Sequence, residues 1–243
     1  MRVLGVIPAR YASSRFPGKP LIDLKGKSMI QRVYEGASAC PQLTDLVVAT
    51  DDKLILDHVL GFGGKAVMTS TQHTTGTERC QEVAKNFPDM EVIVNIKGDE
   101  PLVKHEQLST LIQLFNRPEV AIGTLIIPIK DEADLHNVNR VKVVTNQYGE
   151  ALCFSRNAIP SNYFPSAVIY YRHLGLYAYR NATLAEISQL PTCEWEKSES
   201  LEQLRWLHAG HRIYTATTLI ETPNIDCPED VERVLSLIHS YCF

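Results

Sequence analysis

Short apolar runs separated by amphipathic helical patterns recur along the first half of the chain. This alternation is the strongest constraint on what it can fold into. Val3 to Ile7, Leu46 to Ala49, Lys65 to Met68 and Val92 to Ile96 read as buried strands. Between and after them, Ser28 to Ala39, a stretch capped by Asp51 and running through Leu60, a stretch from Thr75 towards Phe87, and Glu106 to Phe115 read as helices. Ser28 with Gln31, and Thr75 with Glu78, have the spacing of capping boxes. Repeated strand–helix–strand units predict a parallel sheet with helices on both faces. The second half is richer in strands: Val120 to Ile127, Val141 to Thr145, Ala151 to Ser155, Leu174 to Tyr179 and Ile213 to Thr218. Gln147-Tyr148-Gly149 predicts a hairpin turn. Helices are expected from Ser198 to His208 and from Pro228 to about Ser240, with Asn157 to Tyr170 the most loop-like stretch. The expected architecture is α/β, a single domain over 1–243. It is a nucleotide-binding-type sheet with a strand-rich lobe inserted at roughly 130–200, without a clean boundary.

Composition removes several function classes. With 243 residues, 44% hydrophobic and 21% charged, the chain can bury a sizeable core without staples. A formal net charge of −4 argues against a protein that coats nucleic acid. No run of about eighteen apolar residues is present, so no membrane span is expected. The run from Val3 to Ile7 is short for a signal peptide, and Arg10 and Arg15 follow it at once, so a cytoplasmic protein is expected. The six cysteines, at 40, 80, 153, 193, 227 and 242, form no C-x-x-C pair; they read as reduced thiols, and no zinc site is indicated. His208 and His211 are three apart, but beside Gly210 they read as solvated residues at a helix end rather than a metal pair.

Three segments carry candidate chemistry. The densest is Pro8 to Pro20, which places Arg10, Arg15 and Lys19 on a loop leaving the first strand. Ligands of open α/β sheets bind at the carboxyl ends of strands. Small residues let backbone N–H groups approach an anion, and the three cations suit a triphosphate. The loop has neither G-x-G-x-x-G nor G-x-x-x-x-G-K-[ST], so neither a nicotinamide fold nor a P-loop is indicated. The second segment is Val94 to Pro101, an apolar strand ending in Gly98-Asp99-Glu100. Asp99 reads locally either as a turn residue or as a ligand of a hard cation such as Mg²⁺. The third is Asn224 to Asp230, where Asp226 reads either as a residue ahead of a helix or as a second carboxylate for the same metal. The three together ask for a metal–nucleotide site.

These residues sit in longer stretches: IPARYASSRFPGKPL, VATDD, MTSTQHTTGTER, NIKGDEP, RVKVV, FSRNAIP, RHLGLYAYR, EKSESLEQLR and IDCPEDVERV. In this order, over nearly the whole chain, they resemble the 3-deoxy-manno-octulosonate cytidylyltransferases, or CMP-Kdo synthetases. That family has the Rossmann-like nucleotide-diphospho-sugar transferase fold, with a sugar-binding and dimerisation lobe. The resemblance implies joining CTP to the sugar acid Kdo with Mg²⁺, giving CMP-Kdo and pyrophosphate for lipopolysaccharide biosynthesis. It implies that Arg10, Arg15 and Lys19 hold the CTP phosphates and that Asp99 and Asp226 hold magnesium, with Arg10, Lys19, Asp99 and Asp226 as the catalytic set. Thr75, Gly76 and Arg79 would lie near the cytidine and sugar, with Arg156, His173, Tyr177, Glu202 and Gln203 as the sugar pocket and Lys142 an assisting cation. It also implies a homodimer, and no nucleic-acid or membrane partner.

The chain departs from the family pattern at Lys97, where Gln is usual, and at Asn137-Val138-Asn139, where Asn-Pro-Asn is usual. The stretch after Ile159-Pro160 is also short and lacks the usual Trp. These departures leave 8-amino-Kdo or another ulosonic acid as alternative substrates. A non-catalytic nucleotide-binding protein is the remaining alternative.

Overall fold

The strand and helix elements follow the apolar periodicity closely in a computed structural model that describes residues 1–12, 16–161, 163 and 167–238. In chain order they begin β1 (Val3–Ala9), α1 (Met29–Ser38), β2 (Asp45–Thr50), α2 (Lys53–Gly61), β3 (Ala66–Met68), α3 (Gly76–Ala84), β4 (Val92–Asn95) and α4 (His105–Gln113). They continue β5 (Ile122–Pro128), α5 (Glu132–His136), β6 (Lys142–Thr145), β7 (Ala151–Ser155), β8 (Tyr171–Arg180), α6 (Asn181–Ile187), α7 (Glu194–Glu199), α8 (Gln203–His208), β9 (Ile213–Thr217) and α9 (Asp230–Ile238). No helix among the described residues is long and apolar enough to cross a membrane. Cys40, Cys80, Cys153, Cys193 and Cys227 are reduced cysteines, and Cys242 lies outside the described residues.

The chain forms two compact units, Met1–Ser109 with Thr222–Phe243, and Thr110–Glu221. In the first unit β1 pairs in parallel with β2 and β4, and β2 with β3. β1, β2 and β4 are buried on both sides, which is why they read as unbroken apolar runs rather than alternating ones, whereas β3 at the sheet edge is only partly covered. Helices supply the cover through one stripe each: Ile30, Val33 and Ala37 on α1, Ile55 and Val59 on α2, and Cys80, Val83 and Ala84 on α3 are buried. A second apolar cluster joins Leu24, Met29 and Leu102 to Ile225, Val234 and Ile238. It fastens the end of the chain to the loops that leave the strands.

Local chemistry corrects three expectations in detail. Asp52, not Asp51, caps α2: its Oδ1 accepts from the N–H groups of Leu54 at 2.8 Å and Ile55 at 3.3 Å. Asp51 is drawn instead to Arg79. Ser28 makes only half of its capping box, because the Gln31 side chain donates to Glu35 rather than returning to the cap. The helix expected from Ser198 to His208 is two helices, since Ser200 takes a left-handed conformation with φ 52° and ends α7. The capping box of Thr75 and Glu78 on α3 is complete.

In the second unit β5 lies between β8, antiparallel, and β9, parallel, while β6 pairs antiparallel with both β7 and β8. Gly149, at φ 78°, turns β6 into β7. The register of β5 and β8 slips between Thr124 and Leu125: Thr124 faces Tyr177, whereas Leu125 faces Leu174. Such a bulge re-aims the side chains beside it. Tyr177 and Tyr179 of β8 pack edge-on against Trp206 of α8 at 5.1 and 5.6 Å.

Candidate active site

The first unit gathers charge at the carboxyl ends of β1 and β4. Gly98 makes this possible, because a Cβ there would stand 2.5 Å from the Pro8 carbonyl oxygen. Only glycine lets the turn after β4 close against the end of β1. Gly18, at φ 71°, makes the other tight turn; its N–H donates to the Tyr11 carbonyl at 2.9 Å and opens the 3-10 turn Lys19–Leu21. Lys19 therefore projects back into the strand ends. Its Nζ donates to Asp99 Oδ2 at 3.0 Å and to the Ile225 carbonyl at 2.8 Å, and lies 3.8 Å from Asp226 Oδ1.

Asp226 reaches this point because its neighbour is anchored. Ile225 is fully buried in the cluster under α9, and its N–H donates to the Asp99 carbonyl at 2.9 Å. Asp230 Oδ2 then accepts from the N–H groups of Asp226 and Cys227 at 2.8 and 3.0 Å, fixing the turn into α9. Two carboxylates far apart in sequence thus meet one ammonium.

Charge balance is tight. Lys97 stands 3.9 Å from Asp99 Oδ1 and 3.6 Å from Glu100 Oε1, and the field of Asp99, ahead of that of Glu100, raises its ammonium above the ordinary range against the cost of burial. Burial alone would raise the Asp99 carboxyl; Lys97 and Lys19 together outweigh it and hold the group ionised below its usual range. Burial raises the Glu100 carboxyl, opposed by Lys97. Asp99 Oδ1 is buried and accepts no hydrogen bond.

Beside these groups, Gly76 begins α3, and a Cβ on it would meet the Asn95 amide at 3.3 Å and the Pro8 ring at 3.5 Å. The amino end of α3 is therefore held at the ends of β1 and β4. Thr75 caps it, accepting from Glu78 N–H at 3.2 Å. Arg79 lies one turn further on and is 1% exposed. Its guanidinium donates to Asp51 Oδ2 at 2.7 Å and to the Thr69 hydroxyl, so it ties α3 to the end of β2. Arg10 is exposed at the end of β1; Arg15 lies outside the described residues.

The sugar-side candidates all belong to the second unit. Lys142 is fully buried on β6 and donates to the carbonyls of Asn137, at 2.9 Å, and Arg156. Burial first, and the Arg156 charge second, lower its ammonium from the ordinary range. The Arg156 guanidinium donates to the backbone carbonyls of Glu199, Val138 and Ser200, so it holds the start of the loop after β7 to the end of α7. His173 stands between the rings of Phe154 and Tyr177, at 5.0 and 5.2 Å. Burial, and then the nearby Glu202 charge, push the Tyr177 hydroxyl well above its ordinary range. Glu202 precedes α8, and the next residue, Gln203, carries a buried amide nitrogen with no hydrogen-bond partner. A buried donor left this way suits a polar ligand. Nothing in the local sequence marks Asp51 as the partner of Arg79 or Glu199 as that of Arg156, since adjacent acidic residues look alike in local pattern. Thr124 did leave a sign: one hydroxyl inside an apolar strand must find a partner.

Comparison with known proteins gives the arrangement its kinship. A family model described as Cytidylyltransferase matches residues 4–213. The chain is 47% identical over 240 residues to the 3-deoxy-manno-octulosonate cytidylyltransferase of Cytophaga hutchinsonii, covering 96% of each. It is 48% identical over 243 residues to the protein of that name from Bacteroides thetaiotaomicron, again covering 96% of each. Among solved structures it superposes on a CMP:2-keto-3-deoxy-manno-octonic acid synthetase complexed with CTP, with a TM-score of 0.94, 41% identity and 99% of both chains covered. A 4-diphosphocytidyl-2C-methyl-D-erythritol synthase from Anaerococcus prevotii, at 14% identity and a TM-score of 0.66, shares the fold alone. By full-length likeness to these relatives, the chain belongs to the 3-deoxy-manno-octulosonate cytidylyltransferase family.

Proposed function

We propose that this enzyme activates Kdo with CTP, releasing pyrophosphate and forming CMP-Kdo. The observation that carries this is the meeting of Asp99 and Asp226 on Lys19 at the ends of β1 and β4, where a nucleoside triphosphate is expected in such a sheet. Arg10 and Lys19 neutralise the phosphates, and Arg15 shares that role from the same loop. The amino end of α3 with Thr75 and Gly76 receives the nucleotide, and Arg79 keeps that helix in place through Asp51. Asp99 and Asp226 would hold Mg²⁺. Two hard oxygen donors and a buried Asp99 oxygen without a hydrogen bond fit that ion. When bound, the metal supplies positive charge to phosphate oxygens and acidifies a hydroxyl beside it.

The sugar acid is assigned to His173, Tyr177, Glu202 and Gln203, with Lys142 and Arg156 shaping the loops beside them. Its anomeric hydroxyl attacks the α-phosphorus in line with departing pyrophosphate, so negative charge grows on oxygens that the cations already face. The homodimer, the cytoplasmic setting and the role in lipopolysaccharide assembly belong to the same proposal and follow from the family likeness.

Pyrophosphate release is the test, measured with each of the four nucleoside triphosphates, Mg²⁺, and Kdo, 8-amino-Kdo or a sialic acid. The expected result is turnover with CTP and Kdo at least about tenfold above every other pair, a difference of about 1.4 kcal/mol in the barrier. Preference for 8-amino-Kdo would move the substrate within the class. Release only with a non-ulosonate acceptor, or none at all, would overturn the reading.

A further inference from the structure

Thr124 is fully buried in the middle of β5, with the Tyr177 hydroxyl beside it, and its own hydroxyl lies within hydrogen-bond distance of three further atoms. Oγ1 lies 2.7 Å from the Leu176 carbonyl oxygen, 3.2 Å from the Leu174 carbonyl oxygen and 2.9 Å from His173 Nε2. All four residues flank the slip in register between β5 and β8. A hydroxyl has one hydrogen to donate and lone pairs to accept with. A carbonyl oxygen can only accept. Were the threonine hydrogen given to His173, its oxygen would face the Leu176 oxygen at 2.7 Å with nothing between two sets of lone pairs. That contact is repulsive in a buried site. The hydrogen must go to the carbonyls, and the short contact selects Leu176. The threonine oxygen is then an acceptor towards His173, so Nε2 of that ring is the donor.

We infer that Thr124 is a positioning residue that sets the tautomer of His173: the neutral ring carries its hydrogen on Nε2 and its lone pair on Nδ1. The bulge in β8 is what brings the two carbonyls onto the hydroxyl, so an irregularity of the sheet serves the site. Resting on the assignment of His173 to the sugar acid, the inference deepens that assignment. A lone pair on Nδ1 accepts a hydrogen from a sugar hydroxyl, and it repels a carboxylate. His173 therefore reads a hydroxyl of the substrate, and the acid group of the sugar falls to a cation or another N–H donor.

The tautomer can be read without substrate by ¹⁵N NMR of the histidine rings in the intact protein, at a pH where the rings are neutral. The His173 signal is identified by its loss in His173→Asn. The expected result is a protonated Nε2 and an unprotonated Nδ1 at His173. Thr124→Val removes the acceptor; it should bring a population with the hydrogen on Nδ1 and raise KM for Kdo by about tenfold, with KM for CTP unchanged. Thr124→Ser keeps the hydroxyl and should restore both. If Thr124→Val does not fold, the wild-type spectrum and Thr124→Ser decide. A wild-type ring with its hydrogen on Nδ1 would overturn the inference, as would a folded Thr124→Val that matches wild type in both spectrum and KM. Wild-type pyrophosphate release from CTP and Kdo tests the functional reading separately.

Discussion

Asp99→Asn is expected to lower kcat/KM for CTP by about 10²- to 10³-fold, the scale on which a single group aimed at developing charge acts. The amide keeps the shape and loses the charge. Two cations, Lys19 at 3.0 Å and Lys97 at 3.9 Å, now balance this carboxylate. Without it they face Asp226 and Glu100 alone, and a divalent ion would lose one of the two carboxylates proposed to hold it. The loss should fall mainly on kcat, because the phosphate contacts proposed for Arg10 and Lys19 would survive in the ground state. Steady-state pyrophosphate release with saturating sugar measures it, and thermal melting checks that the variant is folded. Kinetics within about twofold of wild type would remove Asp99 from the chemistry.

The largest effect on stability is expected at Arg79→Ala. Among the described charged residues of the first unit Arg79 is the most deeply buried, and it faces Asp51, whose side chain is 15% exposed. Removing the guanidinium leaves that carboxylate, together with the Thr69 hydroxyl, short of its donors, and breaking such a pair costs about 3–5 kcal/mol. Denaturant unfolding should show this loss. The double variant Arg79→Leu with Asp51→Leu should recover much of it, because neither charge is then stranded. The same experiment separates bracing from direct binding. A loss under about 1 kcal/mol, with weakened CTP binding in a folded protein, would mean that Arg79 touches the nucleotide rather than holding α3.

Much of the first unit was legible because β1, β2 and β4 are buried on both faces and the helices over them carry one apolar stripe each. The pairing of β1 with β2 and β4 follows from strand–helix alternation. Lys19, Asp99 and Asp226 were legible as types of residue in promising places, but their meeting was not. It depends on Ile225 being drawn into the cluster of Leu24, Met29 and Leu102, a contact between distant segments that no local pattern encodes. Which aspartate caps α2 was equally hidden. Asp51 and Asp52 are chemically identical, and the choice is made by Arg79, which arrives from another helix. The break at Ser200 was missed for a related reason. The helical pattern continues through it, and only the closure of α7 by Leu201 N–H onto the Glu196 carbonyl, at 3.2 Å, asks for a left-handed residue there. The bulge beside Thr124 left no mark on the apolar alternation of β5, so its partnership with His173 emerges only from the folded sheet.

Asp99 and Asp226 are proposed to hold one divalent ion jointly beside the CTP phosphates. A crystal structure with CTP and Mn²⁺, located by its anomalous signal, tests it most directly. One peak is expected within about 2.0–2.4 Å of an oxygen of each aspartate and of a phosphate oxygen. A manganese ion held by the phosphates alone, with both carboxylates still turned to Lys19, would contradict it.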